Sequence, residues 1–249
     1  MVKRLLFFAA LIGIWALIAA RHVWDPTLFP SPWKVADTLW VEFRDGTLLH
    51  ATAISLRRVL IGYTISLSIG VPLGILLASR KWLEETVGSL VSGLQSLPSI
   101  CWLPLSLLWF GMNDKAILFV VVAGSLVSIT VAVQDGVKNL SPTYVRAAQT
   151  MGTSQLSIYT QVLLPASLPS ILTGAKLGWA YAWRALMSGE LLFVSLGLGQ
   201  LLMQGRDLAD MSQVMSVMIV IMALGLLTDR VIFGSLEHHV RRKWGMAGI

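Results

Sequence analysis

The chain has 249 residues, of which 55% are hydrophobic and 13% charged, with a formal net charge of +6 and a mean hydropathy of +0.73. Soluble domains carry about 25% charged residues, so this composition excludes an ordinary soluble enzyme and marks a polytopic membrane protein, in which about six spans fill the length and leave no room for a separate catalytic domain. In that setting a basic excess reports loop topology rather than nucleic-acid binding, and the single Cys101 allows neither an intrachain disulfide nor a cysteine zinc site.

Apolar stretches at roughly 5 to 20, 56 to 78, 87 to 110, 116 to 134, 168 to 189 and 212 to 234 predict an all-α fold of about six transmembrane helices. The first is short and follows Lys3-Arg4, as a secretory signal peptide does. Its end, Ile18-Ala19-Ala20-Arg21, lacks a clear small-x-small cleavage site, and a retained helix is expected. Between Asp25 and Asp45, Pro26, Pro30 and Pro32 alternate with Trp24, Trp33 and Trp40. That mixture predicts an irregular or short-helical connection along the outer headgroup region. Lys3, Arg4, Arg80, Lys81, Lys138, Arg146, Arg241, Arg242 and Lys243 then outnumber Arg21, Lys34, Arg44, Lys115 and Arg206 on the opposite side, which places both termini in the cytoplasm. Arg57 and Arg58 count against that orientation. Pro72, Pro98 and Pro104 are candidate kinks within the apolar stretches. With no internal repeat or interdomain linker, residues 1–249 read as a single transmembrane domain.

The polar interruption at 141–165 is the most informative segment. Ser141-Pro142 is a helix start, with a hydroxyl cap and a proline whose missing N–H costs nothing in the first turn. Gly152 breaks this helix, Thr153 or Ser154 can cap a second one, and Pro165 is expected to end it. Leu156, Tyr159 and Leu163 recur at helical spacing along the second helix, opposite Gln155, Ser157, Thr160 and Gln161. Small Ala147 and Ala148 would let a partner surface approach the backbone closely. An amphipathic helix resting on lipid fits the same spacing equally well.

The run Arg146-Ala147-Ala148, three residues, Gly152, nine residues, Val162-Leu163-Leu164-Pro165 resembles the cytoplasmic loop of ABC importer permeases, whose signature reads E-A-A, three residues, G, nine residues, I-x-L-P. Both alanines, the glycine, the leucine and the proline match in place; Val162 replaces isoleucine, and Arg146 replaces glutamate with reversed charge. The resemblance extends over nearly the whole chain and is closest to the nitrate, sulfonate, taurine and bicarbonate branch. It rests on Leu28-Phe29-Pro30-Ser31-Pro32, Ser55-Leu56-Arg57-Arg58-Val59-Leu60-Ile61-Gly62, Leu97-Pro98 through Trp109-Phe110-Gly111, and Leu164-Pro165 through Gly174.

That resemblance implies a type I importer permease-like fold in a bacterial inner membrane. It implies a homodimer of permeases, two cytoplasmic ATPases gripping the 141–165 coupling segment, and an extracytoplasmic binding protein that delivers solute. ATP and Mg would sit on the partner ATPase, since this chain carries no G-x-x-x-x-G-K-[ST] loop. The solute would be a small oxyanion.

Arg184 lies inside the fifth apolar stretch, where an unpaired cation at mid-bilayer costs on the order of 3 kcal/mol. It must face protein or water, either as a structural ion pair or as a lining group for an anion. Glu190, a further candidate for the passage, is off the same helical face, so the two do not pair within one helix. Ser99 and Ser128 are candidate polar contacts along the passage. Trp102, Trp109, Trp179 and Trp183 raise the question of an aromatic cage, although interfacial packing explains them equally. Lys176 is expected to snorkel toward the cytoplasmic face. Two rival classes, a stand-alone secondary transporter and an intramembrane enzyme, lack supporting motifs: His22, His50, His238 and His239 form no H-E-x-x-H.

Overall fold

A computed structural model of the chain describes residues 2–154, 157–193 and 195–243, and among these the regular structure is helical throughout. In chain order the helices are α1 (Val2–Ala20), α2 (Pro32–Arg44), α3 (Thr47–Ser79), α4 (Lys81–Gln95), α5 (Ser99–Phe110), α6 (Asp114–Lys138) and α7 (Pro142–Thr150). A π turn at Ile158–Leu163 leads into α8 (Leu164–Leu192), followed by α9 (Leu198–Asp207) and α10 (Met211–Leu227). A second such turn, Thr228–Phe233, joins α10 to α11 (Gly234–Lys243).

All six expected stretches are helical, but they differ in their fitness as spans. Thr47–Ser79, Asp114–Lys138 and Met211–His238 are long and apolar enough to cross a bilayer. The apolar run of α1, Leu5–Ala20, is shorter, and α8 carries Lys176, Arg184 and Glu190 along its length. The stretch expected as one helix over 87–110 is instead α4 and α5, bent by 102°. Pro98 sits at the break in extended conformation, where its ring removes a donor and drives the preceding residue out of the helical region. Pro104 falls in the first turn after the break, where it needs no donor, and Pro72 stays inside continuous α3. The Pro-rich 25–45 connection resolves into the turn of helix at α2, whose Ser31 cap accepts the Lys34 N–H at 3.3 Å ahead of Pro32.

The chain divides into two compact units: Met1–Arg57 with Glu190–Leu224, and Arg58–Gly189 with Gly225–Ile249. In the second unit α6 is the central helix, and the sequence explains why. On α3, Gly62, Ser66, Gly70 and Gly74 form a stripe at four-residue spacing. They meet Val121, Ser125, Ile129 and Val133 of α6 in the same order, so the two helices run parallel with one register. A Cβ at Gly74 would stand 2.6 Å from the Thr130 carbonyl oxygen, so the backbones touch where the stripe is smallest. Ser125 donates to Ser66 at 2.7 Å, satisfying the polar rung between apolar ones. An adjoining face of α6 takes α8 in antiparallel sense, with Ile129 touching both neighbours: Gly174 meets Ala132, Gly178 meets Ile129 and Gly189 meets Ile117. Leu77, Val91 and Val127 close the core beneath.

In the first unit α2 is amphipathic. Val35 and Glu42, seven residues apart, are its buried positions, while Trp33, Trp40 and Phe43 stay exposed. Ser216 of α10 donates to the Val35 carbonyl at 3.0 Å, which fixes α2 on the first half of α10.

Candidate functional site

The segment 141–165 folds as a helix and a closed bend. Ser141 Oγ accepts the Thr143 N–H at 3.4 Å and starts α7. At its other end the Thr153 N–H donates to Ala148 O at 3.1 Å and the Gly152 N–H to Gln149 O at 3.0 Å. This is the paired closure of a Schellman end, which requires a left-handed residue between the two donors. Gly152 supplies it with φ +72°. Its missing side chain faces open space, so backbone conformation, and not crowding, makes glycine necessary here. Ser154 then accepts the Ser157 N–H at 3.3 Å and begins the next helix, selecting between the two expected caps.

The expected docking residues divide by exposure. Arg146 and Ala147 are exposed, whereas Ala148 is 6% exposed and packs with α7 against the π turn. Ala147 alone of the pair offers its surface outward. Val162 and Pro165 are half-buried and Leu164 is 37% exposed. Leu156 and the Tyr159 side chain lie outside the described residues. Pro165 does not end the second helix as expected: the π turn runs through Leu163 directly into α8, which carries Pro165 as its second residue.

Three of the four candidate path residues share one cavity of about 270 Å³, lined by Ser99, Ser128 and Arg184 with Gln95, Ser96, Pro98 and Tyr181 among its other walls. The break at Pro98 opens this space by turning α5 away from α4. Gly124 lets α6, α5 and α8 converge behind it, since a Cβ there would meet Ala185 Cβ at 2.9 Å and Ser99 Cβ at 3.2 Å. Arg184 is exposed, and its guanidinium lies 5.6 Å from the centre of the Tyr181 ring. No carboxylate pairs with it among the described residues. A cation held by a ring face keeps its hydrogen-bond fork free for an anion. Tyr181 was missed in the sequence, although its place three residues before Arg184 on one helix was a usable signal.

Glu190 lines none of this cavity. It is 0% exposed in the first unit, where Ser55 Oγ approaches both carboxylate oxygens at 2.8 and 2.7 Å and the Gly199 N–H donates at 3.0 Å. The Leu198 N–H donates in turn to Ser55 at 2.9 Å. A Cβ at Gly197 would stand 2.5 Å from Glu190 Oε1, so this glycine and Gly199 exist to let the chain fold over the carboxylate. The geometry is that of a staple.

Other expectations change in the same way. Arg58 is 6% exposed and pairs with Asp114 at 2.6 Å. Lys176 pairs with Asp229 at 2.7 Å rather than snorkelling free. The four tryptophans form two groups: Trp102 and Trp109 pack on Phe119, while Trp179 stacks with Trp183 and meets Tyr63 edge-on. They enclose no common space.

Residues 70–244 match the family described as binding-protein-dependent transport system inner membrane component. A protein of Methanocaldococcus jannaschii named as an ABC transporter permease is 34% identical over 227 residues, covering 89% of this chain and 85% of its own. The taurine transport system permease protein of Escherichia coli is 26% identical over 226 residues, covering 89% and 82%. The nitrate import permease protein of Leptolyngbya laminosa is 27% identical over 237 residues, covering 90% and 82%. Among solved structures, an inward-facing MetNI methionine ABC transporter superposes with a TM-score of 0.72 at 20% identity, covering 80% of this chain and 98% of that one. At that identity the likeness speaks to fold.

Proposed function

The chain belongs to the family of binding-protein-dependent transport system inner membrane components, and from that premise we propose that it forms an ATP-driven import path for a small oxyanion. Its membership makes it the multi-pass transmembrane permease subunit of an ABC importer, a transport subunit and not an enzyme, which works with a separate ATPase and a binding protein.

The finer assignments are ours. Two copies of this chain pair, both termini face the cytoplasm, and two ATPases carrying ATP and Mg grip the 141–165 segment from that side. The Gly152 bend makes the grip rigid, so closure of the ATPases displaces α7 and α8 together and switches the path between two packed arrangements. The observation that carries the oxyanion reading is Arg184, a cation within a cavity shared with Ser99 and Ser128 and without a carboxylate partner among the described residues. The taurine and nitrate permeases named above are consistent with it. Sulfonate, taurine, nitrate and bicarbonate are the solutes to try.

The test is reconstitution with the ATPase and binding protein in liposomes, measuring ATP hydrolysis and uptake for each anion. Arg184→Gln is expected to lower anion uptake while leaving ATPase recovery intact, and Gly152→Val to lower both ATPase recovery and uptake. Uptake by Arg184→Gln with unchanged rate and concentration dependence would remove Arg184 from the path. Full partner recovery by Gly152→Val would remove the bend from the coupling.

A further inference from the structure

Glu42 is the buried charge that neither the coupling segment nor the cavity explains. It is 9% exposed, and its Oε2 is sealed from solvent without a hydrogen-bond partner. Among the described residues no cation pairs with it. Asp45, three residues on, accepts the Thr47 N–H at 2.9 Å and opens α3. Asp210 accepts the Ser212 and Gln213 N–H groups at 2.9 and 3.2 Å and opens α10. Both carboxylates are therefore engaged by helix starts, whereas Glu42 Oε2 has no donor.

The packing says what Glu42 controls. Val35 of α2 faces Ser216 of α10, and Glu42 lies toward Asp210. Numbers rise along one helix as they fall along the other, so α2 lies antiparallel on the start of α10 with Glu42 at the far end of the contact. An ionised carboxylate buried there faces two like charges and an empty donor position. A neutral carboxylic acid escapes the like-charge and charge-burial penalties and brings a proton to donate.

We propose that Glu42 is a proton-binding site that fastens α2 to the first turn of α10, gripping when neutral and releasing when ionised. The outer face of α2 carries exposed Trp33, Trp40 and Phe43, so release frees an aromatic helix to move at its own surface. Burial first, then the Asp45 and Asp210 charges, raise the Glu42 carboxyl from 4.5 to about 7. An acid raised on folding favours the docked state most below about pH 4.5 and loses that contribution as the pH climbs to about 7, above which docking is level at its weakest.

The experiment is hydrogen exchange of residues 32–44 in the full-length protein in lipid nanodiscs, corrected for intrinsic rates, at about pH 5 and about pH 8. In the wild type, protection of α2 is expected to fall by roughly fifty- to a hundredfold across that interval. Glu42→Gln, neutral at both values, is expected to keep its low-pH protection throughout. Asp210→Asn, which retains a capping side chain but removes a charge, is expected to move the wild-type transition to lower pH. Protection of α2 that is flat in the wild type, equal pH dependence in Glu42→Gln, or an unmoved transition in Asp210→Asn would each overturn the proposal.

Discussion

Glu190 and Glu42 are two buried carboxylates within the same unit, treated in opposite ways by the chain around them. Glu190 is given a hydroxyl from α3, a backbone N–H from α9 and two glycines that let the backbone fold over it. Glu42 is given two acidic neighbours and an oxygen with nothing to accept. Burial costs the same kind of desolvation in both places, and donors offset it in only one. A satisfied carboxylate therefore acts as fixed scaffold, whereas an unsatisfied one stays responsive to protons.

The same substitution breaks this comparison most sharply. Glu190→Gln turns an acceptor into a donor opposite Ser55 and Gly199, and loses charge-assisted hydrogen bonds worth about 1.5–3 kcal/mol each. A loss of about 3 kcal/mol in unfolding free energy in mixed micelles is expected. Glu42→Gln at neutral pH is expected to be neutral or stabilising. If both cost the same, the distinction between fastened and unfastened carboxylate fails. Ser55→Ala comes next. It removes the hydroxyl that touches both Glu190 oxygens and also receives the Leu198 N–H, so about 1–3 kcal/mol is expected. A cost near zero would mean that the Gly199 N–H suffices.

Much of this was readable before any coordinates. The apolar runs located the long helices, and Ser141 and Gly152 announced their caps because capping is local chemistry, while the next cap was narrowed to Thr153 or Ser154. Arg184 stood out as a charge inside an apolar stretch, and three of the four path candidates do share a cavity. What the sequence could not supply was distance. Ser55 lies 135 residues from Glu190, and no local pattern joins them. The bend at Pro98 was visible only as a candidate kink, since an apolar run carries no record of direction. Glu42 carried no reading within the Pro-rich connection, although its spacing of seven from Val35 already put both on one helical face.

The smallest expected effect separates packing from protonation within the α2 contact itself. Ser216 donates to the Val35 carbonyl at one end of that contact, and its oxygen also lies 2.8 Å from Ser212 O, so its single proton is shared. Ser216→Ala removes a neutral hydrogen bond without exposing a charge and is expected to cost about 0.5–1 kcal/mol. Because neither partner titrates, that cost is the same at pH 5 and pH 8, unlike the effect of Glu42→Gln. Exchange of α2 amides in Ser216→Ala is thus expected to rise by one constant factor while keeping the wild-type slope with pH. A slope that disappears would assign the proton sensitivity to the Val35 end of the helix and leave Glu42 without a role.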